Sequence, residues 1–206
     1  MKKILAVLMA LTMILALASC GGNNETPSTN GTSSTEGTSS VESTSSVENT
    51  SSATALDVLN TIWATYGEEE RFMAGGGSAE AIVDGAPGAY DISDAEIIDN
   101  DLGIPAASVS KIKNAASLKF MMNANSFTAA AYQLKDAADT QTLADEIKAN
   151  LADRHWMCGF PERLYIVSVG DVVVATYGIA DFMNIYVQKV GTVEGVAVLV
   201  DMPFEI

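Results

Sequence analysis

Hydrophobic residues are first concentrated in one uninterrupted run near the amino terminus. Residues 4–18 contain no charged side chain and follow the basic pair Lys2 and Lys3. At about 15 residues the run is shorter than the roughly 20 that a membrane-spanning helix needs, and it has the layout of a secretory signal peptide. Residues 1–19 are therefore predicted to be a signal peptide.

The next pattern is a polar stretch with almost no large apolar side chain. Residues 21–53 contain no Lys, no Arg and no aromatic residue, and a six-residue unit recurs there as GTSSTE, GTSSVE and STSSVE. Such a segment buries too little apolar surface to offset the entropy that it would lose on ordering. We expect residues 20–53 to be a disordered linker, and a Ser-rich coil of this length spans roughly 30 Å.

The end of the apolar run carries a resemblance to a known class of proteins. Residues 17–20 read LASC and are followed by Gly21, and this segment resembles the lipobox of bacterial lipoproteins. The resemblance implies a diacylglycerol on the sulfur of Cys20, cleavage before this residue, and acylation of the new amino terminus, for example by palmitate. Two or three acyl chains hold a protein firmly on a bilayer. The predicted location is the cell membrane, with the chain lipid-anchored and facing outside the cytoplasm.

From residue 54 onward, apolar residues recur at helical or strand spacing, which predicts one folded domain over residues 54–206. In its first half, Ser93 with Glu96 three residues later is typical of a capping box, and Gly103 suits the left-handed conformation that ends a helix. The predicted elements of this half are helices over 54–66 and 93–103, short strands at 81–83 and 109–113, and a glycine loop at 75–77.

The second half alternates more regularly between strand and helix patterns. Gly170 and Asp171 separate two β-branched runs, which is a strong hairpin signal. The order β-α-β-β-α-β predicts an α+β fold with a ferredoxin-like core, in which helices cover one face of an antiparallel sheet, plus an amino-terminal helical extension. The predicted strands cover 127–135, 164–169, 172–177 and 196–200, and helices begin at Thr140 and Ile179, the first of them ending near Gly159.

The balance of charges restricts the partners of the domain. From residue 54 onward the chain has 22 acidic and 9 basic residues, a formal charge of −13. Phosphate groups would be repelled, so we expect no nucleic-acid partner. A cationic or small-molecule ligand, or a basic protein of the envelope, suits this charge, although an acidic surface also serves solubility.

The cysteine count excludes an intrachain disulfide in the lipidated chain. Cys158 is the only cysteine besides Cys20, and a domain of about 150 residues builds a core without a disulfide. His155 lies three residues before Cys158, which raises the alternative of a thiol nucleophile with an imidazole base. A helix carboxy terminus, where Cys158 is predicted to lie, disfavours the thiolate, so we expect no enzymatic activity.

Metal binding is a further hypothesis that the spacing does not favour. Asp99 and Asp101 lie in an acid-rich stretch whose sequence is similar to the start of a calcium loop. Gly103 then comes one position too early, and no glutamate occupies the twelfth position. Methionines around His155 offer soft copper ligands, but the Met-x-x-Met and Cys-x-x-Cys spacings are missing. We expect no metal and no cofactor.

Two blocks of unusual composition, residues 121–134 and residues 154–161 (RHWMCGFP), carry a second resemblance. With the lipobox and the Ser-rich linker they resemble a family of small envelope lipoproteins of uncharacterised function. This resemblance implies an envelope module and supplies no catalytic residues. Aromatic and amide side chains in these blocks are predicted to line a ligand pocket, unless they only form the seam between helix and sheet. They are Asn123, Asn125, Tyr132, Trp156 and Phe160.

The predicted function is therefore a non-catalytic ligand- or partner-binding module of the cell envelope. One alternative is a solute-binding component associated with a transporter, although about 150 residues is short for a two-lobed binding protein. The other alternative is a thiol-dependent enzyme that uses Cys158 and His155.

Overall fold

The computed structural model describes residues 52–204 of the protein. The predicted signal peptide, the lipidation site Cys20 and the linker up to residue 51 lie outside the described residues, as do residues 205 and 206. The lipid anchor and the disorder of the linker therefore stay predictions.

Eight strands form one antiparallel sheet in this part of the chain. They are β1 (Ala74–Gly76), β2 (Val83–Asp84), β3 (Gly88–Tyr90), β4 (Ile112–Phe120), β5 (Phe127–Leu134), β6 (Arg163–Val169), β7 (Val172–Gly178) and β8 (Val196–Pro203). In space they follow the order β2-β1-β4-β5-β7-β6-β8, and β3 pairs with β4 beside β1. Every residue of β5 and β7 is buried, which is typical of strands that are covered on both faces.

Helices cover both faces of the sheet. They are α1 (Ala55–Ala64), α2 (Ala95–Leu102), α3 (Thr140–Ala152) and α4 (Ala180–Val190). α1 and α4 pack in a cluster rich in aromatic rings, with Phe72 in contact with Trp63, Phe127 and Phe182. α2 and α3 pack in a second, mainly aliphatic cluster on the opposite face. Leu143 and Ile147, four residues apart in α3, are fully buried there, as the helical spacing predicts.

The α+β class is confirmed, and β5-α3-β6-β7-α4-β8 has the predicted order along the chain. The arrangement in space differs from a ferredoxin-like core, because β8 pairs with β6 while β4 occupies the edge of β5. The crossovers from β5 to β6 and from β7 to β8 step in the same direction across the sheet, although their strands run in opposite directions. Crossovers of one hand then place α3 and α4 on opposite faces. The prediction that the helices cover one face is therefore wrong.

The predicted amino-terminal helical extension in fact adds four strands to the sheet. Of these, β1 and β3 were not predicted, and β4 was predicted only at its first two residues. A 3₁₀ segment covers Ala106–Lys111, where the short strand is predicted to begin, and β4 follows it with nine residues. Asn114 and Ser117 interrupt the apolar pattern of β4, but both side chains bind backbone. The Asn114 Oδ1 accepts the amide of Ala55 at 3.0 Å, and the Ser117 Oγ accepts the amide of Gly77 at 3.0 Å.

Two helix ends also differ from the prediction. Asp94 and not Ser93 caps α2 with its side chain, while Gly103 takes the predicted left-handed conformation with φ of 86°. α3 ends at Ala152, well before the predicted end near Gly159. The residues that follow α3 therefore form a loop, and this loop contains the whole RHWMCGFP block.

Glycines allow β1 and β3 to share one side of β4. A Cβ on Gly76 would lie 2.2 Å from both the Gly88 nitrogen and the Ser117 oxygen, so no side chain fits at this position. The predicted glycine loop is in fact the end of β1, followed by Gly77 with φ of 92°.

Candidate functional site

Two amide side chains hold the loop after α3 in a strained shape. Cys158 has φ of 63°, the one positive value at a non-glycine residue between positions 52 and 204, and Gly159 follows with φ of 122°. The Asn125 Nδ2 donates to the carbonyls of Met157 at 2.7 Å and Gly159 at 3.2 Å, and the Asn123 Nδ2 donates to the carbonyl of Cys158 at 2.7 Å. Such backbone strain costs about 1–3 kcal/mol and persists only where its surroundings fix it. The turn between β4 and β5 therefore shapes this loop.

The loop borders a cleft of about 380 Å³ with aromatic walls, which we call the aromatic cleft. The ring of Trp156 meets Tyr177 edge-on at 5.2 Å and Phe204 at 5.7 Å between centroids, and Phe160 remains half exposed. Pockets of about 300–1,000 Å³ with apolar walls and a few polar groups are typical ligand sites. The lining consists of Ala152, Arg154, His155, Trp156, Phe160, Pro161 and Phe204.

Arg154 fastens the base of the loop to α2. Its guanidinium donates to the Asp99 carbonyl at 2.6 Å, lies 3.9 Å from the Asp99 carboxylate, and lies 5.4 Å from the centroid of the Trp156 ring. The last carbonyls of a helix attract a cation because they carry the negative end of its dipole. The aromatic cleft thus has a cationic wall in an acidic domain, and His155 adds ring nitrogens to the lining.

The structure gathers four of the five predicted ligand-binding residues around this loop. Trp156 and Phe160 line the cleft, whereas Asn123 and Asn125 hold the loop through its carbonyls. Tyr132 lies apart from them, because it is fully buried in β5 and its hydroxyl donates to the Leu102 carbonyl at 2.9 Å. Tyr132 joins the sheet to the end of α2, and ligand binding by the other four stays a prediction.

The residues considered for thiol and metal chemistry lie in the loop after α3 and in α2. Cys158 is exposed and unpaired on the loop, and His155 lines the cleft, so the two do not share a helix. Asp99 accepts the amide of Ala106 at 3.1 Å and the Asn150 Nδ2 at 2.8 Å, and both contacts fix the end of α2. Within the described part of the chain, no three His, Cys, Asp or Glu side chains are arranged to hold a metal ion.

A second concavity, which we call the acidic groove, lies between residues 78–81 and α2. It has a volume of about 430 Å³, and Tyr90 and Ile97 contribute to its walls. A depression of about 190 Å³ along Gly75 and Gly76 continues it as far as Lys119 and Met121. Both concavities share Ala79 and Asp101, and the carboxylates of the acidic groove are those of Glu80, Asp91, Asp94 and Asp101.

Lys119 lines the depression that continues the acidic groove. Its ammonium lies 3.5 Å from the Asp101 carboxylate and 5.4 Å from the ring centroid of Tyr90, whose hydroxyl donates to the same carboxylate. Burial lowers the pKa of Lys119, and the nearby Asp101 carboxylate partly offsets this effect. Burial and the hydrogen bond to Asp101 raise the pKa of Tyr90. These three side chains are thus engaged mainly with one another.

The sequence analysis predicted neither that Phe204 lines the aromatic cleft nor that the buried Tyr177 packs against its Trp156 wall. Phe204 arrives through the pairing of β8 with β6, and its amide donates to the Glu162 carbonyl at 3.0 Å. No pattern in the sequence around Phe204 predicts that β8 pairs with β6. Tyr177 was predicted as a strand residue, but its contact with Trp156 depends on where the loop after α3 folds back.

Comparisons of the chain with protein-family models, with curated proteins and with solved structures give no match. The resemblance to envelope lipoproteins therefore stays a prediction. Within residues 52–204, no helix is long and apolar enough to cross a membrane.

Proposed function

We propose that this protein is a lipid-anchored, non-catalytic binding protein of the cell envelope, and that the aromatic cleft holds a small ligand. The observation that supports the proposal best is the strained loop at Cys158, which Asn123 and Asn125 hold in shape. Strained backbone is concentrated at ligand sites, where the surrounding structure retains it because it shapes the site. Here it borders a preformed cleft beside Trp156 and Phe160.

The lining favours a ligand with an apolar face and one acidic or hydrogen-bond-accepting group. The rings of Trp156, Phe160 and Phe204 offer apolar surface, and Arg154 and His155 offer N–H donors at the same cleft. A ligand with several negative charges is disfavoured, because the domain as a whole carries a formal charge of −13.

The anchor is supported by the LASC segment, and the two cysteines of the chain allow a matched test. Cells that make the full-length protein are fed an alkyne fatty acid, and the label on the protein is compared between Cys20→Ala and Cys158→Ala. We expect the label to be lost from Cys20→Ala, which should leave the membrane fraction, and to be kept by Cys158→Ala. Labelling that survives Cys20→Ala would refute the anchor.

The ligand is tested by native mass spectrometry of the full-length protein, extracted from its membranes with a mild detergent. We expect a retained small molecule, because the cleft is preformed. The chain has two tryptophans, and Trp63 is buried in the opposite core, so Trp63→Phe leaves Trp156 as the fluorescent reporter of the cleft. Returning the extracted molecule should change that fluorescence, and Trp156→Ala should weaken its binding by about tenfold or more. Equal retention in Trp156→Ala would place the ligand elsewhere.

A further inference from the structure

The two ends of the sheet differ in what they present. The described chain begins at one end, where the Ser52 hydroxyl donates to the Asp171 carboxylate in the turn between β6 and β7. We call this the linker end. The opposite end holds the start of β5 and the aromatic cleft, and we call it the cleft end. Phe127 pairs with Gly178 there, whereas Gln133 pairs with Val172 at the linker end. Six residues of an extended strand separate the two ends by about 20 Å.

Exposed apolar side chains are gathered at the cleft end. The Met121 amide donates to the Met73 carbonyl at 3.0 Å, and Met122 follows directly. The side chain of Asn125 in the next turn donates to the carbonyl of Met157, so the loop that carries Met157 and Phe160 lies beside this turn. Exposure along it ranges from 46% to 79%. We call this surface the apolar ridge, and it consists of Met73, Met121, Met122, Met157 and Phe160.

Five large exposed apolar side chains at one end of a sheet are unusual on a folded surface. Single exposed apolar residues are common, whereas several together mark interaction sites. Four of the five members of the ridge are methionines, whose unbranched, polarisable side chains adapt to partners of varied shape. The ridge therefore suits a segment with large apolar side chains.

Charge selects among the segments that the ridge can accept. Met121 lines the same depression as Asp101, so the apolar ridge runs directly into the acidic groove. Of the four groove carboxylates, Asp101 is the one in an ion pair within residues 52–204. Asp91 and Asp94 accept hydrogen bonds from Ser93 and from the first turn of α2, but no cation neutralises them there, and Glu80 is exposed, so all three keep a negative charge that a basic partner can meet. A second copy of this chain would bring another formal charge of −13 to the contact, and the two would repel each other.

We propose that the apolar ridge and the acidic groove together dock a segment of a partner protein in which large apolar side chains are flanked by Lys or Arg. The apolar anchors lie on the methionines and supply most of the affinity. The basic flanks lie over the groove and supply specificity and fast association, because exposed ion pairs contribute little affinity each. This surface is separate in its chemistry from the aromatic cleft, with which it shares Phe160.

Three labelled peptides of equal length test the proposal against the full-length protein in detergent. The first carries Leu and Phe anchors with Lys flanks, the second has the same anchors with Glu flanks, and the third has Ser in place of the anchors with Lys flanks. Fluorescence anisotropy should show saturable binding of the first peptide, and binding about tenfold weaker or worse for the other two. Binding of the first peptide should weaken with added salt, since the flanks are solvent-exposed.

Variants of the protein locate the binding. Met121→Ser combined with Met122→Ser should lower the affinity for the first peptide by about tenfold or more. Glu80→Lys should weaken it and reduce its salt dependence. The matched controls are Val198→Ser, an exposed apolar site on β8, and Glu69→Lys, an exposed acid outside the groove, and neither should change binding. Circular dichroism confirms that each variant is folded.

Several results would overturn the proposal. The proposal fails if the first peptide does not bind, or if the Glu-flanked peptide binds equally well. It also fails if the methionine variant binds the first peptide as tightly as the wild type does. A dimer in light scattering that disappears in the methionine variant would also overturn it, because the ridge would then bind a second copy. This test is independent of the proposed ligand in the aromatic cleft. Trp156→Ala, which should weaken that ligand, should leave the affinity for the Lys-flanked peptide within about twofold of wild type.

Discussion

The linker end and the cleft end of the sheet are built from the same strands but from opposite kinds of side chain. At the linker end, Asp171 accepts hydrogen bonds from Lys113 at 3.2 Å, from Gln133 at 3.1 Å and from Ser52. At the cleft end, large apolar side chains remain exposed and the backbone at Cys158 is strained. One end thus carries hydrogen bonds that stabilise the fold, and the other exposes the apolar side chains to which we assign contact with a partner in our proposal.

The largest expected effect on stability comes from breaking the linker end. Asp171→Ala leaves the side-chain amide of the buried Gln133 without one of its partners, so we expect a loss of about 2 kcal/mol in the free energy of unfolding. Urea unfolding measures the loss. Asp153→Ala, at an exposed carboxylate beyond α3, is the control and should change little. If both variants lower the free energy of unfolding equally, the hydrogen bonds of Asp171 do not cause the loss.

Strain at the cleft end predicts an unusual ranking of substitutions at Cys158. Cys158→Val should lose about 1–2 kcal/mol, because a β-branched residue is disfavoured at positive φ. Cys158→Gly should stay within about 0.5 kcal/mol of wild type, since glycine adopts this conformation freely but costs more entropy on folding. The side chain is exposed, so lost packing does not confuse the result. Similar stabilities of the two variants would contradict strain at this position.

The charge of Asp171 adds a pH dependence at the linker end. Burial raises the pKa of Asp171, but hydrogen bonds from Ser52, Lys113 and Gln133 outweigh it, so its pKa in the folded protein lies below the ordinary value. A lowered pKa in the folded state stabilises the protein above the pKa of the unfolded chain, and this stability is lost as the pH falls through the folded value. The free energy of unfolding of the wild type should therefore be larger than that of Asp171→Asn at neutral pH, and this difference should vanish in acid. Urea unfolding between about pH 7 and pH 2.5 measures it. A difference between the wild type and Asp171→Asn that stays constant with pH would show that the charge of Asp171 does not stabilise the fold.

The smallest effect is expected where the described chain begins. Ser52→Ala removes one exposed hydrogen bond to Asp171, so the free energy of unfolding should fall by about 0.5 kcal/mol. Hydrogen exchange should nevertheless become faster at residues 52–54. Thr54→Ala, which removes the capping box of α1, is the comparison and should cost about 1 kcal/mol. Unchanged exchange in Ser52→Ala would show that Asp171 does not hold this segment.

Local signals predicted the elements well where they were complete within a few residues. Gly170 with Asp171 gave the hairpin of β6 and β7, and Gly103 gave the end of α2. Most of β4 was missed because Asn114 and Ser117 break its apolar pattern, and their partners Ala55 and Gly77 lie far away along the chain. The strand order was wrong because it did not include β4. In a ferredoxin-like core β8 would pair with the edge of β5, but β4 occupies that edge.

The candidate site could be predicted only in part. Composition singled out Trp156 and Phe160, and both line one cleft. The role of Asn123 and Asn125 as clamps on backbone carbonyls depends on where the loop folds back, which side-chain chemistry alone does not reveal. Tyr132 was chosen for its chemistry, but its position in the middle of β5 commits its hydroxyl to the end of α2.

The attachment of Ser52 beside Asp171 has a mechanical consequence. A partner held at the opposite end and pulled away from the linker would load the sheet along the direction of its strands. Ladder hydrogen bonds lie perpendicular to the strands, so this pull shears many of them at once and does not open them one after another. The load reaches the sheet only through the exposed contact of Ser52 and through α1, so under tension this first segment should detach before the strands shear apart.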